Sequence, residues 1–249
     1  MQESIPVGAA EGRPLDQGGA TSAGAAGSAL DDPRALQILS TEHWSLLAGR
    51  SLAYNEAFSR AGMFLTFLSA TLIVIGFLIG SQGLSPGVVP VAAILLLADL
   101  YIGAATVGRL IDANSEELQA MRGMNRIRHA YREMVPGLEP YFVSSFHDDA
   151  RGVLIAYGDI TASQSPIANM VHGLTTTIGM VSTVVAMIIG ALVALLVVGV
   201  GLGAEVALLA AVVGFLTGTA IFAVVGMRTA MAYQAGAESR FPTPDRELD

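Results

Sequence analysis

AGMFLTFLSATLIVIGFLIG, residues Ala61–Gly80, runs for twenty positions without a charged side chain. At 1.5 Å of rise per residue, a helix of about that length crosses a hydrocarbon layer roughly 30 Å thick. One ionised side chain at its centre would cost a few kcal/mol, so an uncharged stretch this long points to a membrane span. The chain beyond it repeats the pattern. The turn SQGLSPG (81–87) has room only for a hairpin, and a second apolar stretch runs from about Val88 to Gly108. Residues 160–204 hold 45 consecutive positions whose only ionisable side chain is His172. A third span is expected near Asn169–Val198, and a fourth at Ala204–Val225 after the glycine-rich turn VGVGLGA. The expected fold class is all-α: four transmembrane helices, with amphipathic cytoplasmic helices before span one and after span two.

Composition agrees with this pattern and removes several functions. Of 249 residues, 53% are hydrophobic and 14% charged, against about 25% charged in a soluble domain. The charges crowd into 1–60, 109–159 and the tail after Met227. The net charge is −8 and all 13 basic residues are arginine. An acidic chain without a clustered basic face does not suit nucleic acid. With no cysteine there is no disulfide, thiolate metal site or cysteine nucleophile.

The segments outside the spans divide the chain further. Residues 1–30 are rich in Gly, Ala and Ser, cannot bury enough apolar surface to order themselves, and read as a disordered cytoplasmic tail with no signal-peptide pattern. Over 31–60, Asp32 and Pro33 offer an N-cap and a first helical position. Leu36, Leu39, Leu46, Leu47 and Phe58 then recur at helical spacing, predicting one or two amphipathic helices before span one. The hairpins 61–108 and 166–227 flank a soluble segment, 109–165, and a tail follows over 228–249. Apolar residues at Ile111, Leu118, Met121, Met124, Ile127, Tyr131 and Met134 predict that the helix of span two continues as an amphipathic rod ending at Pro136-Gly137. The face formed by Met121, Met124, Ile127 and Tyr131 is the candidate interaction face, against which the helix before span one can lie. Both short turns lack arginine, whereas every other polar segment carries it, so both termini and 109–165 are expected in the cytoplasm, below the cell membrane.

Few constellations suggest chemistry. His147-Asp148-Asp149 contains metal-ligand residue types, as does Glu42-His43. Neighbouring side chains on a helix point about 100° apart, however, and Asp suits the N-cap of the following ARGVLIAYG helix, so capping is the reading adopted and no metal or other cofactor is assigned. No nucleophile elbow, zinc-protease or phosphate-loop pattern occurs, so no catalytic residue is assigned. Arg122, Arg126, Arg128 and Arg132 form a stripe that either attracts anionic lipid or, as favoured here, pairs with Glu116, Glu117 and Glu133 on a solvated surface. His172 lies at the start of span three, where a titratable group could sense pH. Gly214 and Gly218 form a G-x-x-x-G that permits close helix packing, within the chain or in a homo-oligomer, and Gly103 fits the same role.

Asp99, in LLLADLYIG (95–103), is a carboxylate deep inside a span. Its helical face is Ala92, Leu96, Gly103 and Thr106, small enough to be buried against other helices. Counting depth along each span predicts a polar layer of Asp99, Ser69, Thr66, Thr176 and Thr217. The layer serves either as structural glue, the favoured reading, or as the lining of an ion path.

The stretches STEHWSLLAGRSLAYNEAFSRAGMFL (40–65), GMNRIRHAY (123–131) and HDDARGVLIAYG (147–158) resemble an uncharacterised family of bacterial four-pass integral membrane proteins. The layout is also similar, remotely, to SLATT-type membrane effectors, a resemblance that implies an oligomeric pore. Three functions are carried forward. The first is a non-enzymatic membrane scaffold or signalling component with a cytoplasmic helical interaction module. The second is an oligomeric pore, effector or small transporter using the Asp99 layer, and the third is an enzyme. The bilayer is the partner the residues define.

Overall fold

The computed structural model describes residues 29–157, 173, 175–235 and 238–244. Residues 1–28 of the expected tail, 158–172 including His172, 174, 236–237 and the last five residues lie outside them. The described residues form no strand. The elements are α1 (Ala35–Gln82), α2 (Val88–Met134), α3 (Ala150–Tyr157), α4 (Thr177–Gly199) and α5 (Ala204–Ala235), with 3-10 turns at Ala29–Asp31 and Glu139–Tyr141. Four of them, α1, α2, α4 and α5, are long and apolar enough to cross a membrane.

The helix expected before span one is not a separate element. α1 continues unbroken for 48 residues, because no proline occurs between Ala35 and Gln82 and both internal glycines near the junction, Gly49 and Gly62, lie in open space. Its start also differs from expectation. Asp32 does not cap the helix but accepts from the Arg34 backbone N–H (2.8 Å), and α1 begins at Ala35. The rod after span two is continuous with it, ending at Met134 just before Pro136-Gly137. α4 begins at Thr177, the hydroxyl of its N-cap Thr176 accepting from Gly179 N–H (3.1 Å), while residues 169–172 of the expected third span lie outside the described residues. The two hairpin turns use Gly83 (φ 63°) and Gly201 (φ 87°), in the left-handed region that favours glycine.

α1 packs on α2, α2 on α4, and α4 on α5. The α2 seam is unusually regular. Among its buried positions, 92, 96, 99, 103, 106, 110, 113, 117, 120, 124 and 127 step alternately by four and three residues. On α1 the buried Ala57, Ala61, Phe64 and Thr71, with partly buried Leu68 and Ile75 between and after them, follow the same rhythm. A 3.5-residue repeat keeps two helices in contact along a left-handed supercoil. Gly103 is where α1, α2 and α4 converge: a Cβ there would lie 2.7 Å from Val185 Cγ2 and 2.9 Å from Phe64 Cε2. The G-x-x-x-G packs within the chain. A Cβ on Gly214 would come 3.1 Å from Gly190 Cα of α4, and one on Gly218 would come 3.2 Å from Ala186 Cα. Outward-facing side chains such as Leu72, Ile73, Phe77, Ile94, Leu208 and Leu216 are exposed and apolar, as lipid contact requires.

Beyond the apolar stretch α1 and α2 stay together as a helical head. Met121 and Met124 are buried with Val153 of α3, and Leu46 and Leu118 pack against them. Leu46 fills the space over Gly123, where a Cβ would meet its Cδ1 at 2.8 Å. Met121, Met124 and Ile127 are buried and Tyr131 half-buried, so the candidate interaction face is the inside of the head. Glu117 also departs from its expected place on a solvated surface. It is buried and accepts from Arg50 of α1, whose Nε lies 2.8 Å away. Arg109 bridges Glu116 (2.8 Å) and Glu56 (3.2 Å) where head and apolar hairpin meet.

Convergence at Gly103 predicts a position-specific cost for one methyl group. Gly103→Ala should destabilise the protein by about 1–3 kcal/mol through overpacking against a rigid ring. Gly108→Ala, with open space around it, should be neutral or stabilising by up to about 1 kcal/mol. Thermal unfolding of the two variants in detergent checks this, and equal shifts would contradict the packing.

Candidate functional site

Asp99 is where the seam places it, with no exposed surface, between Leu96 and Gly103. Its predicted face of Ala92, Leu96, Gly103 and Thr106 is buried with it. The predicted polar layer does not form. Ser69 and Thr66 lie on the exposed side of α1, their hydroxyls donating to Leu65 O (2.8 Å) and Gly62 O (2.9 Å) of their own helix. Thr217 is exposed on α5. Thr176 sits at the N-cap of α4, where its hydroxyl donates to Gly173 O (2.7 Å). Depth along a helix leaves its rotation undetermined, and Ser69 lies two residues, about 200°, around α1 from Thr71 of the inward face. The hydroxyl that reaches toward Asp99 is that of Thr71, 4% exposed on the α1 seam. Neither carboxyl oxygen completes a hydrogen bond of ordinary geometry.

The second site lies in the head, where adjacent aspartates take opposite roles. Asp149 caps α3, its Oδ1 accepting from Gly152 N–H (2.9 Å), as the sequence suggests. Asp148 turns the other way and is fully buried. Its Oδ2 accepts from Arg126 Nε (2.6 Å) and Arg240 N–H (3.0 Å). Its Oδ1 accepts from the Ser239 hydroxyl (2.7 Å) and Phe241 N–H (2.7 Å). Its own backbone N–H donates to Phe241 O (3.2 Å). Asp149 completes the grip on the tail, accepting from Thr243 N–H (3.1 Å) and the Thr243 hydroxyl (3.0 Å).

α2 supplies the floor. Asn125, fully buried, donates its amide to His147 O (2.8 Å) and Gly152 O (3.1 Å), tying the turn before α3 to the rod. A Cβ on Gly152 would be driven into the His147 carbonyl, so this turn tolerates only glycine. One turn along, the His129 ring stacks on Phe241 with centroids 3.9 Å apart and planes 20° off parallel. Arg126 donates to Glu238 O (2.9 Å) and Arg122 to Asp148 O (3.1 Å). Two arginines of the stripe therefore hold the loop and the tail, rather than pairing with Glu116 and Glu117.

The electrostatics follow from this wiring. Burial alone pushes both carboxyls upward. For Asp148 the donors Arg240 N–H, Ser239 hydroxyl, Phe241 N–H and Arg126 outweigh it and hold the group well below the usual carboxylate range. For Asp149, Gly152 N–H, both donors of Thr243 and nearby His147 do the same. On the far side of the head, burial and the Arg128 charge hold the His43 imidazole below its ordinary pKa. Among the described residues no group of three or more His, Asp and Glu is arranged to hold a metal ion.

Sequence reasoning found Asp149 and missed the partnership of Asp148 with the tail. The available signal was RFPTP (240–244): Phe241 is the lone large apolar residue of 234–247, beside two prolines that stiffen the chain.

Four apolar helices of spanning length, joined pairwise by short turns, suit an integral multi-pass membrane protein. Compared with protein-family models, curated proteins and solved structures, the chain matches none of them.

The depressed carboxyls predict when the tail lets go. Their contribution is complete above the unfolded aspartate pKa of about 4 and is lost as pH falls through the lower folded-state values. A spin label on Arg240→Cys, an exposed position in a cysteine-free chain, should stay immobilised at pH 7 and at pH 5, and become mobile only well below pH 4. Release between pH 5 and 7 would contradict the clamp.

Proposed function

We propose that this is a multi-pass protein of the cell membrane, with both termini and the helical head in the cytoplasm. It acts there as a non-enzymatic scaffold or signalling component. The observation that carries this reading is the head itself: α1 and α2 extend past the apolar layer, α1 by roughly 40 Å over 35–60, and α2 with the buried Asp148 before α3 grips a peptide segment. The orientation rests on the arginines, which avoid both hairpin turns. Because Gly214 and Gly218 are used against α4, they do not argue for a homo-oligomer.

A pore or small transporter is the second reading, favoured by one observation: Asp99 is buried in a span with no completed hydrogen bond. Two experiments decide between them. Single cysteines at Gln82 and Leu202 should react with an impermeant maleimide on intact cells, and those at Val143 and Arg240 only after lysis. Proteoliposomes should show no proton or cation flux above protein-free vesicles, for the parent or for Asp99→Asn. A parent flux that Asp99→Asn abolishes would establish the transporter and remove the scaffold reading.

A further inference from the structure

Residues 238–244, Glu-Ser-Arg-Phe-Pro-Thr-Pro, lie across the head with alternating exposure. Ser239, Phe241 and Thr243 are half-buried, while Glu238, Arg240, Pro242 and Pro244 are exposed. The chain bends at Arg240 and Phe241, and the three inward side chains are read in turn. Ser239 donates to Asp148, Phe241 stacks on His129, and Thr243 donates to Asp149. Between them the backbone is held without regard to sequence. Arg240 and Phe241 N–H groups enter one carboxylate, and the Asp148 N–H returns a bond to Phe241 O. Main-chain bonds therefore hold the bent segment, and alternate side chains select it. Pro242 restricts the segment in advance, which lowers the entropy lost on docking.

The hold is polar and local. No residue of 238–244 is buried, so lifting the segment exposes little apolar surface, and it opens more readily than the helices beneath it. An emptied groove opens Asp148 to water with Arg126 as its remaining side-chain donor, so a chain that refills it must offer the same N–H and hydroxyl donors to keep the buried carboxylate satisfied.

We propose that this groove is a peptide-docking site. It takes a segment of a partner protein with the order hydroxyl, any residue, aromatic, proline, hydroxyl, bent as residues 239–243 are, and those residues are the built-in occupant that the partner displaces. The proposal rests on the reading of the head as an interaction module and names what that module binds. Displacement has a consequence for the membrane part. Only residues 236–237 separate Ala235 from Glu238, a connection of at most about 11 Å, so the docked segment tethers the end of α5 to α2.

The test uses the full chain in lipid nanodiscs and a fluorescent ESRFPTP peptide. In a variant carrying Ser239→Ala, Phe241→Ala and Thr243→Ala, the internal competitor is weakened. That variant should bind the peptide at least about tenfold tighter than the parent. EARAPAP, lacking the three inward groups, should bind neither protein. Adding Asp148→Asn should weaken binding by about tenfold for each charge-assisted bond lost. No binding to the triple variant, or equal binding of the two peptides, would overturn the proposal. A second measurement leaves the clamp intact: excess ESRFPTP should mobilise a spin label on Arg240→Cys, and EARAPAP should not. A label that stays immobile in saturating ESRFPTP overturns it equally. Nanodiscs expose both faces, so an error in orientation would appear in the maleimide labelling and leave these results unchanged.

Discussion

The antiparallel contact between α1 and α2 sets the rest of the structure. Its 3.5-residue repeat runs along α2 from Ala92 to Ile127 without a skipped step, and one continuous interface therefore joins the apolar half to the charged head. In the apolar half the seam is filled by Ala57, Ala61, Phe64, Ala92 and Gly103, small enough to bring backbones close where no hydrophobic effect draws helices together. In the head the seam changes to Met121 and Met124, with the Arg50–Glu117 pair at its edge, as suits helices that pack in water. No hinge residue separates the halves. A change in the head is thereby mechanically connected to the apolar hairpin.

Two buried aspartates show how differently one residue type is handled. Asp148 receives four donors to its carboxylate, including a guanidinium, and the arrangement stabilises the charged form. Asp99 has Thr71 for company and no completed bond. The first is a binding device whose strength comes from backbone amides supplied by a segment more than ninety residues away. The second sits on the seam at a level where neighbouring positions are apolar or small, and its role is decided by whether ions follow it.

Much of the fold is legible in the sequence because membrane burial writes itself locally: Ala61–Gly80 is a span by length and lack of charge alone. The face of Asp99 was equally legible, since helical periodicity fixes which of its own neighbours share its direction. The layer partners were not, because rotation about the α1 axis decides between Ser69 and Thr71, and depth counting carries no rotation. Glu117 was misplaced for a related reason: a glutamate on a polar-looking helix declares itself buried only when Arg50 of another helix is known to face it. The clamp was least legible. His147-Asp148-Asp149 reads as a cap, which Asp149 is, while the partners of Asp148 come from a tail whose approach no local pattern encodes.

The central claim is that α1 and α2 remain paired through the head along one seam, and cross-linking tests it most directly in a chain with no native cysteine. Leu46→Cys with Gly123→Cys places two thiols where Leu46 now covers Gly123. Trp44→Cys with Gly123→Cys moves the first thiol two residues around α1, to an exposed position. Mild oxidation in native membranes should join the first pair rapidly within one chain and leave the second pair largely unreacted. Equal rates for both pairs, or links only between chains, would contradict the account.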